Sequence, residues 1–168
     1  MIQPRSRACL ELLTADSSLL LRESSPADAA EYYALIARNR GHLTQFGNYH
    51  DEGRATFAWV ERSLSRPRDG LRFGVRSAGE LVGRVELARR AGRQFTLAYW
   101  LGRDHLGRGL MFQSLSRLMQ HARERFLATA FFASVTHGNH KSAAVLLGLG
   151  YAIAVNHADY SEFASSVP

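Results

Sequence analysis

FTLAYWLGRDHLGRGLM, residues 95–111, is the stretch on which the reading of this chain turns. Residues 95–101 are apolar and aromatic, the composition of a buried strand. Gly107-Arg108-Gly109 follows, and beyond Gly109 the apolar residues recur at helical spacing. A strand that feeds a glycine loop opening a helix is suited to holding an anion. Glycines let the loop amides turn inward, and the helix N-terminus adds partial positive charge. The stretch predicts a pyrophosphate grip of the kind a coenzyme needs.

Downstream, Met111, Leu115, Leu118, Met119, Ala122 and Phe126 keep one helical face apolar, with Arg117, Arg123, Glu124 and Arg125 off that stripe. Residues 130–135 read as a strand. Asn139 suits the cap of a helix over 140–149, and Gly150 lies just past its end. Residues 151–155 and 159–163 make a last hairpin, followed by a tail at 164–168. Upstream, strands at 72–76 and 81–87 are joined by a turn at Gly79-Glu80, and Gly92 marks the next turn. A helix over 54–66 turns Phe57, Val60 and Leu64 inward and stops at Pro67 and Asp69-Gly70. Residues 41–53, with His42, Phe46, Tyr49, His50, Asp51 and Glu52, form a polar and aromatic connector. Ser25, Pro26 and Asp28 start a helix over 26–39 that Gly41 ends. Residues 19–22 open the sheet and residues 1–17 are loose. The order is β, α, α, β, β, β, α, β, α, β, β.

The chain has 168 residues, 46% hydrophobic and 21% charged, as expected of one domain over 1–168 with a hydrophobic core. Its single cysteine, Cys9, makes no internal disulfide, and no Cys/His spacing suggests zinc or another metal. The expectation is a reducing, cytoplasmic setting. No apolar run approaches the ~20 residues of a membrane span. The apolar run at residues 10–13 is too short, and too interrupted by Glu11, for a signal peptide core. The net charge of +6 comes from 21 Lys and Arg spread along the chain, with no basic tract. A solvated basic surface is expected, with no membrane and no nucleic acid as partner, and a phosphorylated coenzyme suits the charge.

Two segments resemble a known family. Tyr99-Trp100-Leu101 followed by Leu106-Gly107-Arg108-Gly109-Leu110-Met111 is similar to the acetyl-coenzyme A loop of the GNAT superfamily of N-acetyltransferases. Asn139-His140-Lys141-Ser142, with Gly150-Tyr151 after it, resembles the Asn-x-x-Ser … Gly-Phe segment of the RimJ/RimL branch. Leu21-Arg22, Asp28-Ala29 and Asn39-Arg40-Gly41-His42-Leu43 agree, so the resemblance covers about residues 19–163. It implies an α/β fold with a mixed, mostly antiparallel sheet of about seven strands flanked by about four helices. The sheet is expected to splay between the strand before the coenzyme loop and the next. Acetyl-CoA is the implied cosubstrate, with no metal. The implied acceptor is an amine, either a protein N-terminus or a small metabolite or antibiotic. Homodimers are common in the branch.

The sequence departs from that pattern at three places. Leu106 stands where the loop usually begins with Gln or Arg. Leu146 stands where many members carry a Tyr that protonates the leaving thiolate; a Ser at the position of Ser142 is proposed for that role in the branch. The connector lacks the branch's Trp-rich stretch and reads Thr44-Gln45-Phe46-Gly47-Asn48-Tyr49.

The resemblance places coenzyme contacts at Tyr99, Trp100 and Leu101 through backbone groups freed by the splay, Trp100's side chain being simple core. Further contacts fall at residues 106–111, Asn139 and Ser142. Arg108 adds a charge-assisted contact. Ser142 either bonds the coenzyme sulfur or merely satisfies a helix-start amide. A base for the attacking amine is sought at Glu86 or Asp159, with Glu162 as fallback and His42, His50, His105 and His137 as further candidates. The alternative to an enzyme is an acyl-CoA-binding sensor without transfer activity.

Overall fold

The structure, a computed structural model, describes residues 9–166. Its strands are β1 (Glu11–Leu13), β2 (Leu19–Glu23), β3 (Gly70–Ser77), β4 (Glu80–Ala91), β5 (Gln94–Leu101), β6 (Ala130–Thr136), β7 (Ala152–Asn156) and β8 (Tyr160–Ser166). Its helices are α1 (Ala29–Thr44), α2 (His50–Arg54), α3 (Phe57–Ser65), α4 (Leu110–Phe126) and α5 (His140–Gly148). The strands form one open sheet in the order β1-β2-β3-β4-β5-β6-β8-β7. All pairs are antiparallel except β5 with β6.

That parallel pair is short. Only Gln94, Phe95 and Thr96 of β5 meet Ala130, Phe131 and Phe132 of β6. Beyond them β5 stays on β4 to Leu101 while β6 stays on β8, and the sheet splays as expected. The two faces carry separate cores. Phe95, Leu97 and Leu101 pack with Leu115, Leu118 and Phe131 on the α4 side. Trp100 turns the other way, into Tyr32, Ile36 and Val60 of α1 and α3, with the Tyr32 ring 5.9 Å from its own. Alternation along one strand thus feeds both faces, and Trp100 is core.

Four local expectations are corrected. Gly41 does not end α1, which runs to Thr44. Glycine in a helix interior is unfavourable by about 1 kcal/mol, but burial of Leu43 and a hydrogen bond from His42 to β5 hold the last turn. The connector contains α2. Residues 11–13, read as loose, pair with β2 because Leu12 enters the α4-side core. Residues 164–166, read as tail, extend β8 against β6. Residues 1–8 and 167–168 of those loose ends lie outside the described residues.

Candidate active site

The glycine loop takes the backbone that only glycine adopts without strain. Gly107 and Gly109 both have φ of +71°, and Gly109 is the residue from which α4 starts. Gln113 N–H returns to the Gly109 carbonyl, so the amides of Leu110, Met111 and Phe112 have no intrahelical partner. No acidic residue sits in the first turn of α4 or α5. Leu106 packs against the α4-side core and anchors the loop by burial where a polar residue usually stands. Upstream, the Arg103 amide donates to Asn39 Oδ1 at 2.8 Å, tying the end of β5 to α1.

A groove of about 860 Å³ runs from this loop along the free edge of β5 to the start of α5. Its walls include Tyr99, Leu101, residues 105–107, 109–112, Asn139 and Ser142, and it holds Arg103, His105, His140 and Lys141 but no Asp or Glu. A concave surface with cations and helix N-termini and no carboxylate suits a polyanion. Arg108 is exposed, its Nη1 3.5 Å from His105 Nδ1, and it does not line the groove. Arg103 and Lys141 line it instead, and the sequence carries no local sign of that exchange.

Asn139 caps α5, its Oδ1 accepting the Ser142 amide at 3.2 Å. The Ser142 hydroxyl is therefore not the cap. It lies 2.7 Å from the Tyr99 phenol oxygen, a pairing that sequence reasoning missed because it joins two side chains 43 positions apart. Burial raises the Tyr99 phenol above the ordinary tyrosine value, with the Ser142 hydrogen bond pulling the other way.

The connector straps the splay. Tyr49 Oη donates to the Tyr99 carbonyl at 2.6 Å, and His42 Nε2 donates to the Leu101 carbonyl at 3.1 Å. Both carbonyls thus face the splay, and along a strand the amides of Tyr99 and Leu101 face the same way. Gln45 Nε2 lies 3.1 Å from His42 Nδ1, which fixes a neutral imidazole with its proton on Nε2. With both ring nitrogens engaged, His42 has no free position to act as a base. Burial, aided by Arg103 and Lys141, holds it below the usual histidine range despite the Leu101 carbonyl. Its native value lies under that of the unfolded chain, so its contribution to stability is present above about pH 6.5 and is lost as pH falls through the native value. Urea unfolding at pH 7 and pH 5 should show a smaller pH dependence for His42→Asn than for the native chain. An equal dependence would remove His42 from the account.

The sequence-derived base candidates separate. Glu86 is clamped by arginines: Arg72 Nε at 2.7 Å and Arg68 Nη1 at 2.8 Å on one oxygen, Arg84 Nη2 at 3.3 Å on the other. Burial would raise its carboxyl, but Arg84, Arg72 and Arg68 outweigh that and hold it below the usual carboxylate range. It lines a separate pocket with Glu52, away from Ser142, and so clamped it is a poor base. Glu162 pairs with Arg90 at 3.0 Å. Among the described residues Asp159 has no ion pair, and it lines a cavity of about 710 Å³ with Ser134, Thr136 and His137. Phe46 and Asn48 of the connector line both this cavity and the groove. His137 lies 3.3 Å from the Ser161 hydroxyl, while His50 is exposed at the start of α2. Among the described residues no group of three or more His, Cys, Asp or Glu is arranged to hold a metal ion. Among them, too, no helix is long and apolar enough to cross a membrane.

A model of the acetyltransferase (GNAT) domain matches residues 18–152. No curated protein matches the sequence. Among solved structures, RimL, a ribosomal L7/L12 alpha-N-protein acetyltransferase in complex with coenzyme A, superposes with a TM-score of 0.82 at 17% identity, covering 93% of this chain and 98% of that one. An acetyltransferase from Salmonella typhimurium that modifies the N-terminal serine of L7/L12 gives 0.80 at 17%, covering 95% and 100%. The microcin C7 self-immunity acetyltransferase MccE, in complex with acetyl-CoA and AMP, gives 0.74 at 18%, covering 90% and 94%. At these identities the likeness establishes the fold.

Proposed function

Because the chain belongs to the acetyltransferase (GNAT) family, we propose that it transfers acetyl from acetyl-CoA to a primary amine, by direct attack on the thioester in one ternary complex. The observation that carries this reading is the carboxylate-free groove joining the glycine loop, the unpaired edge of β5 and Ser142. Amides of residues 107–111 hold the pyrophosphate, the Leu106 amide being taken by the Arg103 carbonyl at 3.4 Å, with Arg103 and Lys141 adding charge. Asn139 and the freed β5 backbone meet the pantetheine arm, and the Tyr99 and Leu101 amides polarise the thioester carbonyl. The Ser142 hydroxyl donates to the sulfur as the thiolate leaves. An amine near pKa 8–10 is mostly protonated at neutral pH, so a base is needed. Asp159, the carboxylate candidate with no ion pair among the described residues, takes its proton through water from the cavity beside the strap.

The acceptor is a protein N-terminus, as for the RimL structures, or a small amine, since the strap differs from the branch pattern. Residues 1–168 act as a single cytoplasmic domain, able to pair as a homodimer. Calorimetric titration with acetyl-CoA, with thiol release measured over a panel of peptides and small amines, tests the reading. Binding with release on at least one acceptor supports it. Binding without release on any acceptor leaves a sensor, and no binding sinks both. Ser142→Ala should lower kcat roughly 10- to 100-fold while coenzyme affinity stays within about two-fold; an unchanged rate would leave Ser142 without a chemical role.

A further inference from the structure

We infer that Tyr99 is a positioning residue for the acetyl transfer, its phenol donating to Ser142 Oγ and thereby turning the serine proton toward the coenzyme sulfur. The inference rests on the proposed function and goes past it, because that reading uses only the backbone of Tyr99.

The two side chains meet for topological reasons. Residue 99 is on the α5-facing side of β5, where the splay has removed β6 as a neighbour. Ser142 is in the first turn of α5, above that gap. Their oxygens are 2.7 Å apart, and the Ser142 carbonyl, at 3.3 Å, is a second and more distant acceptor for the phenol proton. That carbonyl, in the first turn of a helix, also takes the ordinary intrahelical bond. A serine hydroxyl has one proton and a freely turning rotor. Because Asn139 caps the Ser142 amide, nothing in the helix start fixes that rotor. A hydrogen bond received from Tyr99 does fix it. It occupies a lone pair of Oγ and leaves the serine proton for the groove that both residues line.

Tyr99 is equipped for this from both ends. Its main chain is pinned by the bond from Tyr49 to its carbonyl. Burial disfavours its phenolate, which favours the phenol as a donor at neutral pH. In the transfer the new N–C bond forms and the C–S bond breaks with its electron pair on sulfur. The Ser142 hydrogen bond stabilises that thiolate, and the proton lost by nitrogen reaches it through solvent. Tyr99 itself transfers no proton.

The test needs no acceptor. Coenzyme A is bound to the native chain, to Tyr99→Phe, to Ser142→Ala and to the double variant, and the thiol of the bound coenzyme is titrated by its thiolate absorbance. In the native complex the thiol should titrate about one unit below the free thiol, a tenfold shift in the equilibrium. Tyr99→Phe should lose most of that shift, Ser142→Ala all of it, and the double variant no more than Ser142→Ala. With an active acceptor, kcat should follow the same non-additive pattern while the KM for acetyl-CoA holds. A Tyr99→Phe complex that titrates like the native one overturns the inference, as do additive losses. Where Tyr99→Phe does not fold, Tyr99→Leu removes the same hydroxyl. A thiol shift that persists when no acceptor yields product overturns only the transferase reading. Failure of coenzyme A to bind overturns both.

Discussion

Gly109→Glu should reduce acetyl-CoA affinity by at least about 100-fold in calorimetric titration, with little change in the melting temperature. Two effects add. Gly109 has φ of +71°, where a residue with a Cβ is strained by roughly 1–2 kcal/mol. The residue also stands at the positive end of α4, beside the amides assigned to the pyrophosphate. A carboxylate there repels the phosphates and takes the helix-terminal charge for itself, an effect of up to ~2 kcal/mol. About 3 kcal/mol together is a little over 100-fold. A Cβ at Gly109 meets nothing within 4 Å, but the positive φ strains a side chain there whatever the space, so the free loop relaxes away from the conformation that aims its amides and the coenzyme must restore it on binding. Gly109→Ala isolates the strain and should weaken binding about 10-fold. Glutamate and alanine variants that bind alike would remove charge from the explanation. Native affinity in both would mean that the loop does not grip the coenzyme.

Arg84→Met should destabilise the fold by about 3–5 kcal/mol. Arg84 and Glu52 have side chains only 6% and 7% exposed and pair at 2.9 Å. The same guanidinium reaches the Tyr32 hydroxyl at 3.2 Å and Glu86 at 3.3 Å, and lies over the Tyr49 ring at 5.8 Å. Removing it leaves Glu52 buried without its partner, whereas Glu86 keeps Arg68 and Arg72. The cost comes chiefly from that stranded carboxylate. For a chain of this size it corresponds to a fall in melting temperature of roughly 10 °C. The double replacement Arg84→Met with Glu52→Leu removes both charges and should recover most of the loss. A double variant no more stable than Arg84→Met would put the cost elsewhere in the cluster. Since Tyr49 straps the splay, coenzyme affinity in Arg84→Met reports whether the cluster also holds the site.

The parts legible from sequence are those in which one residue type decides a local geometry. Gly107 and Gly109 specify positive φ, Asn139 specifies a cap, and the stripe from Met111 to Phe126 specifies a helix with one buried face. Gly41 misled because a local preference of about 1 kcal/mol was overruled by Leu43 and His42, whose partners lie on distant strands. Tyr49 was opaque for a similar reason. It takes φ of +55°, rare for tyrosine, and is held there by Tyr99 and Arg84. Glu86 is a base candidate in the sequence by its place on the central hairpin. Arg84 stands two positions before it on β4, but Arg72 of β3 and Arg68 of the segment before β3 reach it only through the fold.

What the sequence determined by itself is the donor half of this protein: a strand, a glycine loop, a helix start and a capped second helix, each written in residues a few positions apart. The rest of the candidate site was decided by tertiary structure. How the strap crosses the splay, which carboxylate stays unpaired, and that Tyr99 meets Ser142 depend on contacts between segments tens of residues apart. Such contacts form only when two cores, one on each face of the sheet, fix the helices above it. Local backbone preference is a property of single residues. A site assembled across a sheet follows from the packing of all of them.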